Sequence, residues 1–202
     1  MQLELDRISY RFEGKEWLFK ELNLTFQSTE VVGIVAPSGF GKTTLCQILA
    51  GWKQPKEGRV LLDGIEIDKK GYHPVQLICQ HPEKAINPNW RMKKVLSEGN
   101  ESEGEVLKRM GIKEEWFYRR ARELSGGELQ RFCITRAMGR ETKFLIADEM
   151  TTMLDAISQA QIWQSVLKLA KEKGMGIIVV SHEKALINKI CDRVVYLEGI
   201  NS

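Results

Sequence analysis

One stretch, residues 36–44, limits what this chain can fold into more than any other part of it. The stretch is Ala36-Pro37-Ser38-Gly39-Phe40-Gly41-Lys42-Thr43-Thr44. The apolar run Val31–Val35 before it predicts a buried parallel strand, and the segment 45–50 after it predicts a helix. A strand, a glycine loop and a helix in this order are the context in which backbone N–H groups and a helix N-terminus surround a phosphate group. The sequence therefore predicts an α/β fold with a phosphate-binding loop.

The side chains of this loop suit a nucleotide with its metal. Lys42 supplies a point charge for the β- and γ-phosphates, and Thr43 offers a hydroxyl to Mg²⁺. The alternative is a glycine turn with a surface lysine. Ala36 stands where such loops usually have glycine, so the loop requires a negative φ at that position. The residues expected to bind the nucleotide are Pro37, Ser38, Gly39, Phe40, Gly41, Lys42, Thr43 and Thr44.

Composition excludes several classes of protein. The 202 residues include 30 Lys+Arg and 27 Asp+Glu, and this balance, without a basic patch, argues against nucleic acid as a partner. The chain has no apolar run of about eighteen residues and its N-terminus alternates in polarity, so we expect neither a membrane span nor a signal peptide. Four cysteines are scattered singly, which is typical of reduced thiols in a cytoplasmic protein.

The first 80 residues predict strands around the loop. Residues 3–10 and 17–26 are expected to form antiparallel strands joined at Gly14, and residues 58–67 a hairpin with an Asp-Gly turn. Tyr10 and Phe12 are two residues apart and share one face, where an aromatic ring can stack on adenine or simply pack in the sheet. Residues 75–79 predict a further buried strand that ends at Gln80.

Residues 81–122 predict a small helical insertion without strands. Amphipathic stretches at 105–110 and 114–122 are expected to be helices. The next four residues, Ser125-Gly126-Gly127-Glu128, have the spacing of a capping box, and a helix is expected from Leu129 to about Gly139. Because two glycines at a helix start lower helix stability, they suggest that another group approaches this backbone closely.

The last third places acidic and imidazole side chains at strand ends. The apolar run from Phe144 ends in Asp148 and Glu149, of which the first suits a hydrated Mg²⁺ and the second an attacking water; the alternative is an exposed acidic strand end. Asp155 is expected to cap an amphipathic helix that ends before residue 174. The strand predicted at 176–180 leads to His182, at the edge where parallel sheets bind ligands, and 193–197 predicts the last strand.

Taken in order, these motifs resemble those of the nucleotide-binding subunit of ATP-binding cassette transporters, over nearly the whole chain. The resemblance rests on the phosphate loop, Gln80, the signature Leu124–Glu128, the pair Asp148-Glu149, the segment Thr152–Asp155, and His182. Residues 80–88 and 153–162 look most like the peptide and nickel importer branch. Met150 departs from the family, which often has proline there.

The resemblance implies a P-loop NTPase core with a mainly parallel sheet, an N-terminal antiparallel β-subdomain and an inserted small helical subdomain. It implies one domain over 1–202, with 1–80 and 140–202 as core and 81–139 as helical subdomain. Two subunits would pair head to tail, with ATP between the phosphate loop of one and the signature of the other. Signature residues Ser125, Gly126, Gly127 and Glu128 would then bind the partner's nucleotide.

Roles carried over from the family complete the expected site. Glu149 would be the general base, His182 would contact the γ-phosphate, and Asp148 would act on Mg²⁺. Gln80 would contact the metal and the water and relay to the helical subdomain. Lys42 is expected to act in catalysis as well as binding, and Asp155 to lie at the dimer seam. The family's adenine-stacking aromatic falls nearest Phe12, with Tyr10 the alternative.

The function implied is an ATPase, using ATP and Mg²⁺, that drives an importer of peptides, nickel or metal complexes. Its partners would be transmembrane permease subunits, a second identical or different ATPase subunit, and an extracytoplasmic substrate-binding protein. The chain would then lie on the cytoplasmic face of the membrane, held by the permease. One alternative is a soluble cassette ATPase of DNA repair or translation, and another is a regulatory partner that binds ATP without turnover.

Overall fold

The computed structural model describes residues 1–68, 70–98 and 104–197. Its strands form two separate sheets, one antiparallel and one parallel. In chain order the strands are β1 (Gln2–Arg11), β2 (Trp17–Gln27), β3 (Val31–Val35), β4 (Glu57–Leu62), β5 (Ile65–Glu66), β6 (Val75–Ile78), β7 (Phe144–Asp148), β8 (Gly176–Val180) and β9 (Arg193–Tyr196).

The helices follow the strands as an α/β protein requires. Within the described residues, no helix combines the length and the apolarity needed to cross a bilayer. In chain order the α-helices are α1 (Lys42–Leu49), α2 (Met92–Ser97), α3 (Gly104–Arg109), α4 (Gly126–Ala137), α5 (Ala156–Lys173) and α6 (Lys184–Ile190).

The parallel sheet has the spatial order β6-β7-β8-β3-β9 and forms the centre of the molecule. All five residues of β7 and all five of β8 are buried, because helices or the second sheet cover both faces. Side chains alternate between the faces: Ile146 and Ile178 pack with α1 and the antiparallel sheet, whereas Leu145 and Ile177 pack with α5 and α6. The expected α/β architecture with a mainly parallel sheet is confirmed.

The antiparallel sheet has the order β2-β1-β4-β5. The predicted pairing of the first two strands and the hairpin at 57–66 are both confirmed. The sequence did not predict that the hairpin joins β1, where Leu5 faces Val60 across an antiparallel ladder. Phe26 and Leu3, both buried, belong to the same core as the parallel sheet, so the second sheet closes one of its faces.

The residues between β6 and α4 pack against α4 itself in a further hydrophobic cluster around Met92, Trp116 and Phe132. The predicted helix at 114–122 was wrong. Two 3₁₀ turns, Glu114–Tyr118 and Ala121–Glu123, occupy this segment, and the backbone between them is extended. The carbonyl of Arg119 accepts the N–H of Met92, so pairing with the start of α2 diverts the chain from a continuous helix. Val106, Met110 and Ile134 pack instead with the parallel sheet, so the division into a core and a helical subdomain at 81–139 stays a prediction.

Candidate functional site

The predicted site residues follow neighbouring strands at one edge of the parallel sheet. The phosphate loop follows β3, Gln80 comes two residues after β6, Glu149 follows β7 and His182 comes two residues after β8. Because these strands are adjacent and parallel, their carboxyl ends meet at the same edge. The topology thus brings together four motifs that are far apart along the chain. The first and the last of them, at residues 36 and 182, are 146 residues apart.

The phosphate loop has the backbone that its glycines were expected to allow. Gly39 has a φ of +83° and Gly41 a φ of +96°, whereas Ala36 is not among the residues with positive φ, as the loop requires. A Cβ at Gly41 would also overlap the Leu18 side chain, which would have to shift to make room for it. Lys42 donates from Nζ to the carbonyl oxygens of Ala36 (2.6 Å) and Pro37 (3.0 Å), which holds the ammonium against the loop.

A hydroxyl and a carboxylate meet where the loop enters α1. The Thr43 side chain is hydrogen-bonded to Asp148, which is only 7% exposed. Burial raises the pKa of the Asp148 carboxyl, an effect that the Thr43 hydrogen bond opposes and the neighbouring Glu149 charge reinforces. Hydroxyl and carboxylate oxygens are the hard ligands that Mg²⁺ prefers, so this donor pair fits a magnesium ion that shares phosphate oxygens.

Glu149 lies beyond the end of β7 in an unusual backbone conformation. Its φ is +50°, the left-handed region that a glutamate rarely adopts. Its N–H donates to the carbonyl of Val180 (2.9 Å), and its Oε1 lies 3.0 Å from Nδ1 of His182. The ends of β7 and β8 therefore hold a carboxylate and an imidazole together, with about a fifth of the Glu149 side chain exposed.

The residues after Glu149 form a hydrogen-bonded loop that the sequence had not assigned a role. Thr152 donates from Oγ1 to the carbonyl of Glu149 (3.0 Å) and accepts from Nε2 of Gln80 (3.5 Å). The buried Thr151 accepts at Oγ1 from Nε2 of Gln159 and from Nε1 of Trp163, each at 3.1 Å. Two adjacent hydroxyl residues just after an acid pair are the signal that could have indicated this loop, since such side chains bond nearby backbone groups.

The signature segment forms the capped start of α4. Ser125 accepts at Oγ from the N–H of Glu128 (3.2 Å), and Glu128 accepts at Oε2 from the N–H of Ser125 (2.8 Å), so the expected capping box is confirmed. The helix begins at Gly126, three residues earlier than predicted. A Cβ added at Gly126 would meet no heavy atom within 4 Å, whereas one at Gly127 would lie 3.1 Å from Leu154 Cδ2. The helix tip is therefore open at Gly126.

Asp155 caps α5, as predicted, by accepting from the N–H groups of Ile157 (3.1 Å) and Ser158 (3.0 Å). A cavity of about 330 Å³ lies between this cap and the signature. Its described lining comes from the signature segment, residues 153–155 and the start of α5. Met153, which lines the cavity, is 62% exposed, and Ile157 in the first turn of α5 is 72% exposed.

The two candidate aromatic residues differ in exposure. Tyr10 is 7% exposed and packs against Phe19, with ring centroids 6.3 Å apart, whereas Phe12 is 42% exposed. Phe12 stands edge-on to Tyr10 at 5.4 Å, and the ammonium of Lys53 lies 5.2 Å from the Phe12 ring centroid. Of the two rings, Phe12 has the surface that a base could stack on.

Comparison with known proteins identifies the family of this chain. Residues 19–152, more than half of the chain, match the family model described as ABC transporter. The chain therefore belongs to the ABC transporter family, and its expected class, an ATPase that takes ATP with Mg²⁺, is confirmed.

Individual proteins and solved structures are also similar to this chain. The nickel import ATP-binding protein NikE of Escherichia coli (strain K12) is 30% identical over 210 aligned residues, covering 93% of this chain and 78% of that protein. NikE of Shigella boydii serotype 4 matches equally. A solved dimeric post-hydrolysis state of the ATP-binding cassette MJ0796 bound to ADP and Pi superposes with a TM-score of 0.80 at 25% identity, covering 96% of this chain and 93% of that one. CbiO1 of Clostridium perfringens, part of the ABC transporter complex cbiONQ, superposes with a TM-score of 0.74 at 26% identity, covering 96% of this chain and 83% of that one.

Proposed function

We propose that this chain is the ATP-hydrolysing subunit that drives an importer of nickel, metal complexes or peptides. The observation that carries the proposal is the Glu149–His182 pair, 3.0 Å apart, at the same sheet edge as the phosphate loop and the Thr43–Asp148 pair. A base beside a phosphate and metal site is the arrangement that hydrolysis of a triphosphate requires.

Each side chain has a proposed task. Lys42 and the loop from Pro37 to Thr44 bind the phosphates, and Thr43 with Asp148 and Gln80 hold Mg²⁺, which when bound neutralises developing phosphate charge. Glu149 orients the attacking water and takes its proton. His182 holds the Glu149 carboxylate in place through Nδ1 and contacts the γ-phosphate. Phe12 stacks on the adenine.

The open signature needs a second cassette. Ser125, Gly126, Gly127 and Glu128 would bind the nucleotide held by a partner's phosphate loop, with Asp155 near the seam. Two observations support this arrangement: among the described residues, apart from the chain neighbours of Gly126 and the α4 backbone, no heavy atom lies within 4 Å of a Cβ built at Gly126, and the solved relative MJ0796 is described as dimeric. Closure of the pair on ATP and its reopening after hydrolysis would supply the motion, because ATP binds the closed state more tightly.

The importer assignment is supported by its relatives. NikE proteins are described as nickel import subunits, and CbiO1 as part of a transporter complex. By analogy this chain would lie on the cytoplasmic face of the membrane, held by permease subunits, and the permease with an extracytoplasmic binding protein would select the cargo. The second cassette would be another copy of this chain or a related one.

The proposal is tested by purifying the tagged chain from detergent-treated membranes and identifying what accompanies it. We expect an integral membrane permease to co-purify and ATP turnover to disappear in Lys42→Ala. Lys108→Ala, on the exposed face of α3, is the matched control and should leave turnover unchanged. Co-purification with ribosomal or DNA-repair proteins in place of a permease would refute the transport role, and turnover in Lys42→Ala would refute the site.

A further inference from the structure

Thr152 connects two parts of the site that the strands place separately. Its hydroxyl has one hydrogen, which it donates to the carbonyl of Glu149 at 3.0 Å. The same oxygen accepts from the Gln80 amide at 3.5 Å. A hydroxyl can donate once and accept at its lone pairs, so these two bonds are compatible and run in one direction, from amide to hydroxyl to carbonyl.

The bond to Glu149 acts on a backbone that needs support. A left-handed glutamate is unfavourable in isolation and persists only where its surroundings hold it. On one side the N–H of Glu149 is fixed by Val180 (2.9 Å). On the other side its carbonyl is held by Thr152 twice, through Oγ1 at 3.0 Å and through the backbone N–H at 3.3 Å. The Thr152 hydroxyl is the part of this support that a side-chain substitution can remove.

Resting on the proposed function, we propose that Thr152 is a positioning residue for hydrolysis, whose hydroxyl fixes the backbone of Glu149 and links it to Gln80. A base must lie within hydrogen-bond reach of the water it activates, and small displacements of reacting groups lower rates steeply. The carbonyl that Thr152 holds belongs to the residue whose carboxylate does this work.

The hydrogen bond from Gln80 is the weaker of the two bonds that the Thr152 hydroxyl makes. At 3.5 Å the Gln80–Thr152 bond is long, and so it is easily exchanged for another acceptor. If Gln80 turned its side chain toward a bound metal, Thr152 would lose the amide but keep its donor bond to Glu149. The Thr152 hydroxyl is thus the contact through which the loop after β7 meets Gln80.

The test compares Thr152→Val, which keeps the shape but removes the hydroxyl, with Thr152→Ser, which keeps the hydroxyl. We expect Thr152→Val to lower kcat about tenfold with KM for ATP within about twofold of wild type, and Thr152→Ser to restore at least about half of wild-type kcat. Thr142→Val is the matched control. Thr142 also donates to a carbonyl (Ala137, 2.7 Å) and pairs with a second side chain (Tyr72, 2.8 Å), but outside the site, so its loss should lower the melting temperature and leave kcat unchanged.

Three results would overturn the inference: wild-type kcat in Thr152→Val, equal loss of kcat in the serine and valine variants, or a change confined to KM. A failure of the proposed function is distinguishable from these. If the wild-type chain, purified with its partners, hydrolyses no ATP, the proposed function fails and the role of Thr152 fails with it. Wild-type turnover in Thr152→Val would remove only the role of Thr152.

Discussion

The substitution Gly126→Ala should affect the stability of this chain and its proposed action on a partner's nucleotide in opposite directions. Gly126 is the first residue of α4 and is not among the glycines with positive φ. Outside its own helix, no heavy atom of the described part of the chain lies within 4 Å of an added Cβ. The folded chain therefore accommodates alanine without strain. Because alanine has fewer conformations in the unfolded chain, we expect the free energy of unfolding to rise by about 0.4–1 kcal/mol.

The same methyl should be harmful in the proposed dimer. If the N–H groups at the start of α4 face a γ-phosphate, a methyl at Gly126 keeps the phosphate from its closest approach to them. Loss of one such donor typically lowers kcat by about a hundredfold or more. We thus expect a variant that is more stable than wild type and about a hundredfold slower in steady-state phosphate release.

Gly104→Ala is the matched control, because Gly104 also begins a helix, has no positive φ and has open space around its Cβ position among the residues that the structure describes. Both variants should gain similar stability in urea denaturation, but only Gly126→Ala should lose turnover. A folded Gly126→Ala variant with wild-type phosphate release would refute the composite site, and equal loss in both variants would refute the argument from position.

Three further predictions test separate parts of the structure. Gln130, 3% exposed in α4 with neither side-chain amide atom hydrogen-bonded, should be replaceable by methionine with a gain of about 1 kcal/mol in the free energy of unfolding, measured in urea. Burial raises the pKa of Asp148, so the charged carboxylate opposes folding above that pKa. Asp148→Asn should therefore raise the free energy of unfolding of the nucleotide-free chain at neutral pH, and this gain should vanish in acid, where Asp148 is protonated. The same substitution should abolish ATP hydrolysis. Phe12→Leu should weaken ATP binding about fivefold in a fluorescent-nucleotide titration, and Tyr10→Phe should not.

Local pattern was sufficient for most of the parallel sheet. Each of its strands is a short run made mostly of apolar residues, and the two predicted helix caps, Ser125 and Asp155, combine a suitable side chain with the right spacing. The phosphate loop was predictable for the same reason, since its glycines and Lys42 are contiguous. The close approach of the Leu18 side chain to Gly41 was not predictable, because Leu18 lies on β2, far from the loop in sequence.

Contacts distant in sequence account for the rest. The amphipathic pattern at 114–122 predicted a helix, but the hydrogen bond from Met92 to Arg119 and the burial of Trp116 favour two short turns instead. Likewise the positive φ of Glu149 depends on Val180 and Thr152, and its approach to His182 depends on the order of strands in the sheet. Motif spacing gave the residues of the site but not the bonds among them.

The most direct test of the central claim is the mass of Glu149→Gln with and without ATP, measured by light scattering after gel filtration. Glutamine keeps the shape of the side chain but cannot take a proton, so ATP should persist between two cassettes. With ATP, the account predicts a complex of twice the 23.1 kDa of one chain, or a complex of this chain with a co-purified second cassette. Without ATP, it predicts separate chains. Separate chains in the presence of bound ATP, both alone and with that partner, would contradict it.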